Sequence, residues 1–399
     1  MRRIPWRVVG LLGAAGLLAG CGASEAATPT WVPQPSVTVE AGPPGSTQGQ
    51  PGGPSQGPSG GAPFPGPSGP SGPAPSGTGS GSGILATDLN APTGLVILPD
   101  GSALVGERTT GRIVHVQPRP GQPVDTVRTI TGLSTTGDGG LLDLALSPTY
   151  DEDRLIYAYI TTPHDNRVID FTLTGPQANV LTGIPRGATG NTGRLLFDAR
   201  GLLYIGTGDA GSRQLAADPN SLAGKVLRVD AIGNPAPGNP KPGSPIYTTG
   251  HHTVNGLCAG PALGGVYETE APNEVNVLSP GADYGWPTPA RGDRQPASVL
   301  PRAHSGAAGC AIEGNALFVA TTDGQALLGT LLGANGKVGG LSVIPLDKPY
   351  GRLRTVVAAP DGALWLTTTN KDGHGHPSPD DERVIRIVQI RVPSDTPPV

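Results

Sequence analysis

Six repeats of one strand pattern constrain the fold of this chain more than any other feature. Each repeat has a hydrophobic strand, a turn of Pro, Asp or Gly type and a second hydrophobic strand, and often a third strand after a polar gap. The repeats begin at Gly94, Leu141, Gly193, Gly256, Ala307 and Leu353. Strands divided by such turns form antiparallel hairpins. A period of about fifty residues indicates a solenoid or a radial array of such units.

These strands are apolar on both faces, so they need other sheets packed against them around an axis. The sequence therefore predicts an all-β fold, a six-bladed β-propeller over residues 84–393. Residues 382–392 are expected to supply outer strands of the last blade or to pair with the strand near Ile84 and Leu85.

Little else in this part of the chain is expected to be regular. Helical periodicity is nearly absent, and one short helical turn is predicted at residues 218–223, capped by Asn220 or Ser221. Residues 394–399 are expected to form a disordered tail.

The first 21 residues have the pattern of a secretion signal. Three arginines precede an apolar run, residues 8–18, that is too short to span a bilayer. The ending Leu-Ala-Gly-Cys at Cys21 is similar to a bacterial lipobox, whose cysteine receives lipid. Residues 1–21 therefore predict a lipoprotein signal peptide and a lipid anchor on the extracytoplasmic face of the cell membrane. An ordinary secretion signal with an incidental cysteine is the other interpretation.

Residues 22–83 are rich in Gly, Pro, Ser, Ala and Thr, with repeated Gly-Pro-Ser-Gly units. Such a composition cannot bury enough apolar surface to offset its ordering entropy. We therefore expect a disordered linker that holds the propeller away from the membrane. With 4% aromatic residues and a net charge of -4, the chain gives no sign of a nucleic-acid surface.

The chain has three cysteines. If Cys21 carries lipid, Cys258 and Cys310 remain as a pair in an oxidising compartment, where disulfides form and persist. A disulfide between them is expected, and two separate buried thiols are the alternative.

Several motifs, in their order along the chain, resemble the glucose/sorbosone dehydrogenases that depend on pyrroloquinoline quinone (PQQ). One of them is TGNTGRLLFDARGLLYIGTGDAG, residues 189–211. Others lie at residues 98–113, 137–150, 221–230, 273–287 and 351–365. The chain is also similar to mycobacterial lipoproteins that join a lipobox and a Pro-rich spacer to such a propeller.

The resemblance implies that PQQ lies over the central opening, held by cationic side chains and a calcium ion. A histidine then takes a proton from the sugar hydroxyl, as general-base catalysis requires. Gly190 stands at that histidine position, and glycine cannot accept a proton. His252 and Asp138 are the weak substitutes that the sequence offers.

Two further parts of the implied cofactor site differ from the family pattern. An arginine and an asparagine that contact the cofactor are replaced by His252 and Thr253. The segment whose carbonyl groups bind the calcium is shortened, and by analogy Ala271 and Pro272 would offer those carbonyls.

Other parts of the implied site persist. Arg352 and Arg354 match an Arg-x-Arg pair that reaches the cofactor carboxylates, although both could instead pair with acids of neighbouring blades. Asp138 stands where a side chain faces the sugar, and capping of the strand at residues 141–146 is its alternative role.

Histidines and one tryptophan complete the candidate list. His251 and His252 are expected on a loop that faces the axis, as metal ligands or as a plain polar loop. His374 and His376 have carboxylates close by in sequence and would bind zinc or calcium if they are not simply solvated. Trp286 is expected to pack between blades rather than to stack on a sugar.

Together these features predict a cell-envelope lipoprotein whose propeller has a degenerate catalytic site and acts in binding or scaffolding. Its expected ligand is a carbohydrate or another small molecule. The alternative is an active PQQ-dependent aldose dehydrogenase with a rearranged base, which would need PQQ and calcium.

Overall fold

The computed structural model describes residues 83–260, 265–388, 390 and 392. Within them, 24 strands form six four-stranded antiparallel sheets. The predicted all-β six-bladed propeller is therefore confirmed. The predicted signal peptide, almost all of the linker and the C-terminal tail lie outside the described residues.

The first three blades follow one another along the chain, after a first strand, β1 (Gly83–Ala86), that belongs to the last blade. Blade 1 contains β2 (Pro92–Ile97), β3 (Ala103–Glu107), β4 (Arg112–Val116) and β5 (Asp125–Thr129). Blade 2 contains β6 (Leu141–Leu146), β7 (Ile156–Thr161), β8 (Asn166–Phe171) and β9 (Ala178–Ile184). Blade 3 contains β10 (Gly193–Phe197), β11 (Leu203–Thr207), β12 (Val226–Val229) and β13 (Ile246–Thr248).

The other three blades complete the ring. Blade 4 contains β14 (Val254–Ala259), β15 (Val266–Glu270), β16 (Glu274–Val277) and β17 (Ser298–Val299). Blade 5 contains β18 (Ala307–Glu313), β19 (Ala316–Thr321), β20 (Leu327–Leu331) and β21 (Ser342–Ile344). Blade 6 contains β22 (Leu353–Ala358), β23 (Leu364–Thr368), β24 (Val384–Ile387) and β1.

The two ends of the described chain close the ring. Strand β1 pairs antiparallel with β24, with Ile84 opposite Ile385, as one of the two predicted arrangements for residues 382–392 requires. The first strands of neighbouring blades contact one another in a closed circle around the axis.

The hydrophobic core is divided among the blade interfaces. Each of six clusters of buried residues joins two adjacent blades. Between blades 1 and 2, for example, Leu104 and Ile113 pack with Leu141 and Ile156. Because apolar strand faces are buried by the next sheet in the ring, no blade can bury its core alone.

Helix is confined to short segments. They are α1 (Tyr150–Asp153), α2 (Arg213–Ala217) and two 3₁₀ turns at Arg302–His304 and Ala334–Gly336. The helical turn predicted at residues 218–223 is wrong, since the helix lies five residues earlier. Ser212 caps its start by accepting from the Leu215 amide, and Asp218 is extended because a residue before proline avoids the helical conformation.

The predicted disulfide is present. Cys258 on β14 is bonded to Cys310 on β18, so it joins the innermost strands of blades 4 and 5. In the part of the chain that the structure describes, no helix is long and apolar enough to cross a bilayer.

Candidate functional site

A polar cavity of about 560 Å³ lies on the axis, at the end where the innermost strands begin. Five of those strands contribute residues near their starts: Thr93, Leu142, Gly193, Asn255 and Arg354. Loop residues at the same end include Arg108, Asp138, Thr192, Thr322, Thr369 and His374. Its volume is within the range of about 300–1,000 Å³ typical of small-molecule sites.

Arg194 lies deeper on the axis, beside a second cavity of about 60 Å³, and is almost completely buried. Its Nε donates to the carbonyl oxygen of Asn255 at 2.6 Å, and its Nη1 to that of Thr93 at 3.2 Å. Nη1 also lies 3.4 Å from the Asp143 carboxylate and from the Thr355 hydroxyl. One side chain from blade 3 thus contacts blades 1, 2, 4 and 6.

Two arginines of the axial cavity have no acidic partner. Nη1 of Arg354 donates to the Asn255 side-chain oxygen at 3.3 Å, and Nη1 of Arg108 donates to two carbonyl oxygens of the loop before β6. Within the described residues, neither guanidinium forms an ion pair. Burial, and then the nearby Arg194 guanidinium, lower the pKa of Arg354 to about 9. Burial also lowers the pKa of Arg108.

The third arginine, Arg352, is held by two aspartates. Its Nη1 lies 2.6 Å from the Asp323 carboxylate, and its Nη2 lies 3.0 Å from that of Asp372. The sequence left open whether Arg352 pairs with acids of neighbouring blades, and it pairs with one, Asp323 of blade 5, and with Asp372 of its own blade. Three arginines and two aspartates, Asp138 and Asp372, line the cavity. Asp323 pairs with Arg352 from outside the lining, and when it is counted the formal charges balance.

Asp138 lines the cavity, but its carboxylate holds a neighbouring loop. It accepts the Gly190 amide at 2.7 Å and the Asn191 side-chain amide at 2.5 Å, and the Asn191 backbone amide lies at 3.3 Å. These bonds tie the loop before β6 to the loop before β10. As a general base, Asp138 would have to give up bonds that fix this part of the cavity wall.

The backbone at Gly190 suits only glycine. Its φ of 72° lies in the left-handed region, which residues with a Cβ rarely adopt. A Cβ here would lie 2.6 Å from both the Asp209 carboxylate and the Gly211 amide nitrogen. The conformation of this loop therefore requires glycine at position 190, and a histidine could be introduced only if the loop moved.

His251 and His252 do not line the axial cavity, so the expectation that both face it is wrong. His251 is fully buried, whereas the His252 side chain is 42% exposed. The His252 ring packs 4.2 Å from the Trp286 ring, and its Nε2 lies 3.7 Å from the Asp209 carboxylate. Neighbours on an extended chain point in opposite directions, which explains the contrast between the two histidines.

Ala271 and Pro272 form the turn between β15 and β16. The Pro272 carbonyl oxygen accepts the backbone amides of Gly306 and Ala307, at 3.0 and 3.1 Å. Both of its lone pairs are therefore engaged, which leaves this carbonyl unsuited to the calcium role inferred by analogy.

The remaining candidates are separated. His374 lines the axial cavity, with its backbone amide donating to Asp372, while His376 is exposed. Neither belongs to a metal-ligand cluster among the described residues. Trp286 lines a different cavity of about 260 Å³, and the Arg213 guanidinium lies 4.7 Å from its ring centre.

Among the charged and amide side chains of the axial cavity, sequence reasoning missed three: Arg108, Asn255 and Asp372. Each lies at the end of a strand or in a loop at one end of the propeller. Binding residues concentrate in such loops, so sorting the polar residues by blade end would have found them.

A sequence model of the glucose/sorbosone dehydrogenase family matches residues 89–308. The chain belongs to this family. Quinoprotein glucose dehydrogenase B of Acinetobacter calcoaceticus is 28% identical over 252 residues, or 52% of each protein. Aldose sugar dehydrogenase YliI of Escherichia coli K12 is 26% identical over 242 residues, 55% of this chain and 65% of that protein. The matched segment thus spans less than two thirds of either relative.

Solved structures of the family show the same fold. The PQQ-bound aldose sugar dehydrogenase of Streptomyces coelicolor has 35% identity and a TM-score of 0.71, over 76% of this chain and 95% of that one. An oxidoreductase (glucose dehydrogenase) of Thermus thermophilus has 35% identity and a TM-score of 0.69, over 76% and 98%.

PQQ carries three carboxylates, and the residues of this cavity fit it poorly. Arg352 is already neutralised by two aspartates, the Pro272 carbonyl is engaged, and Asp138 adds negative charge to the wall. Of the described arginines that line it, only Arg108 and Arg354 lack an acidic partner, which is one positive charge fewer than the three carboxylates of PQQ, and burying a trianion needs full charge compensation.

Proposed function

We propose that this family member binds a neutral, polyhydroxylated ligand in its axial cavity and does not oxidise it. The observation that carries the proposal is a cavity lined by threonines, an asparagine, three arginines and two aspartates, whose formal charges balance when Asp323, the outer partner of Arg352, is counted. Such side chains offer many donors and acceptors to hydroxyl groups without favouring an anion. A carbohydrate or a fragment of an envelope glycan has this chemistry.

The cellular setting is part of the same proposal. A lipid on Cys21 would anchor the protein at the extracytoplasmic face of the membrane, and residues 22–83 would extend the propeller toward its ligand. The supporting observation is the lipobox pattern. Partition of the protein into a detergent phase, lost in Cys21→Ala, is the expected result; equal partition of the variant would refute the anchor.

Calorimetric titration of the purified protein with neutral saccharides and with uronic acids tests the ligand. We expect saturable binding of a neutral saccharide and weaker binding of its acidic counterpart. Thr369→Trp would fill the cavity and abolish binding, whereas Thr182→Trp on the outer strand β9 would leave it unchanged. No saccharide binding, or equal binding by the two variants, would contradict the proposal.

One observation favours the second function, aldose oxidation with a rearranged base. His374 lines the cavity, and histidine is the side chain that most often serves as a general base. Incubation with PQQ and calcium, followed by dye reduction with aldoses, separates the two functions. We expect no turnover. Aldose-dependent dye reduction that is lost in His374→Ala would establish the second function instead.

Restoring the family histidine should not restore oxidation. Gly190→His forces a left-handed conformation that costs about 1–2 kcal/mol, and its Cβ meets Asp209 and Gly211. Gly132 is a matched control, since its φ is 77° and a Cβ there would meet nothing within 4 Å. Urea unfolding should show a larger decrease in the free energy of unfolding for Gly190→His than for Gly132→His. Equal losses, or aldose oxidation by Gly190→His, would show that the loop accommodates the side chain.

A further inference from the structure

Three side chains with metal-ligating atoms meet inside blade 4, apart from the axial cavity. They are His251, Glu268 and Glu270, all buried, and one ligand atom of each lies within 4.8 Å of the others. Their side chains are 0%, 0% and 5% exposed. Among the described residues, this is the one cluster of this kind.

Local structure brings the three together. Glu268 and Glu270 are two residues apart on β15, so both side chains leave the same face of the strand. His251 comes from the loop between β13 and β14. Its Nδ1 lies 3.1 Å from the Glu270 carboxylate and 3.9 Å from that of Glu268. Tetrahedral zinc, with ligand bonds of about 2.0–2.2 Å, needs donors about 3.4 Å apart.

The three ligand side chains are held by hydrogen bonds to surrounding groups, and these bonds leave the atoms that face one another free to bind an ion. The other ring nitrogen of His251, Nε2, bonds the Thr248 hydroxyl at 2.9 Å. Metal-bound histidines usually donate their second N–H in this way. One Glu270 oxygen accepts the backbone amides of His252 and Thr253, and its other oxygen faces His251.

Two buried oxygens of the cluster lack partners. Glu268 Oε1 and Asn276 Oδ1 have no hydrogen bond among the described residues. Asn276 lies opposite Glu268 in the sheet. Its side-chain Nδ2 donates to Glu268 Oε2 at 2.9 Å, and its Oδ1 is left without a donor in the described part of the protein. Buried polar atoms are rarely left unpaired, and each specific case needs an explanation such as an ion.

The charge of the cluster points the same way. No lysine or arginine pairs with Glu268 or Glu270 in the described part of the chain. When ionised, two buried carboxylates with no lysine or arginine beside them carry negative charge that a divalent cation would cancel.

We propose that His251 Nδ1, Glu268 and Glu270 bind one divalent transition-metal ion, with Asn276 Oδ1 as a fourth ligand. A mixed nitrogen and carboxylate donor set matches zinc rather than calcium, which prefers oxygen alone. The ion would fix the segment before β14 and the start of that strand, which carries Asn255 of the axial cavity. It would be structural because the site is closed to solvent.

Metal analysis of the purified protein tests the site. Because the cluster is buried, the protein is unfolded, stripped with a chelator and refolded with or without zinc. We expect one zinc per chain and a higher melting temperature with zinc. Refolding with cobalt(II) should give the visible absorption of a tetrahedral site. No bound metal, or equal melting temperatures with and without zinc, would overturn the proposal and indicate a protonated Glu268 instead.

Glu268→Gln removes a charged ligand while keeping the side-chain size. Zinc affinity should fall more than about 100-fold, beyond the effect of losing an outer partner. Glu107→Gln is the matched control, because Glu107 is also a buried glutamate but lies in blade 1, paired with Arg112. Its zinc content should equal that of the wild type. A Glu268→Gln variant that still binds one zinc ion with unchanged affinity would refute the assignment. If that variant does not fold, the cobalt(II) spectrum of the wild type tests the site instead.

Discussion

Replacing Arg194 with methionine is expected to lower the free energy of unfolding by about 3–5 kcal/mol, the usual cost of breaking a buried ion pair. The side chains of Arg194 and Asp143 are only 4% and 9% exposed. Without the guanidinium, Asp143 keeps the Leu195 amide at 2.9 Å but loses its positive partner. The carbonyls of Thr93 and Asn255 also lose a donor at the axis. Denaturant unfolding measures the loss.

Two comparisons show whether the loss comes from the buried pair. Arg200→Met breaks an ion pair with Asp198 in the same blade, but Arg200 is 66% exposed, so it should cost less than about 1 kcal/mol. Arg194→Met with Asp143→Leu removes both charges and should recover part of the loss. If Arg194→Met unfolds with the same free energy as Arg200→Met, the axial network does not hold the blades together.

Replacing both cysteines of the disulfide with alanine is expected to cost about 4 kcal/mol by the loop-closure estimate. Cys258 and Cys310 are 52 residues apart and lie on the innermost strands of adjacent blades. Without the bond, the unfolded chain gains the freedom of that loop. Unfolding of the wild type with and without reductant, beside the double variant, measures the difference.

The reductant provides the control for this experiment. The double variant should unfold identically with and without it, and the reduced wild type should approach the stability of the double variant. An oxidised wild type no more stable than the double variant would contradict the expected contribution of the disulfide.

The blades were predictable because their signals are local. Strand, turn and strand lie within some twenty residues, so hydrophobic runs divided by turns of Pro, Asp or Gly type mark each hairpin without knowledge of its neighbours. Pairing of Cys258 with Cys310 was expected from the count of cysteines and the secretion signal. The helix at Arg213–Ala217 was misplaced because its start depends on one capping bond from Ser212.

The candidate site was predictable in part. The sequence identified Gly190, Asp138, Arg352 and Arg354 from motif positions, and Asp138, Arg352 and Arg354 line the same cavity. It did not identify the partners that change their roles. Asp323 and Asp372 are 29 and 20 residues from Arg352 in sequence, too far apart for a local pattern to reveal their bonds.

By itself, the sequence determined the six hairpin units, the closing strand and the departures from the family motifs, because strand period and turn chemistry act over neighbouring residues. Only the tertiary structure decided which charges remain unpaired. Around the axis, side chains from five blades meet, and some contacts join residues far apart in sequence, such as Thr93 and Thr355. Whether an arginine there faces a ligand or an aspartate depends on ring closure, since closure alone brings those loops together.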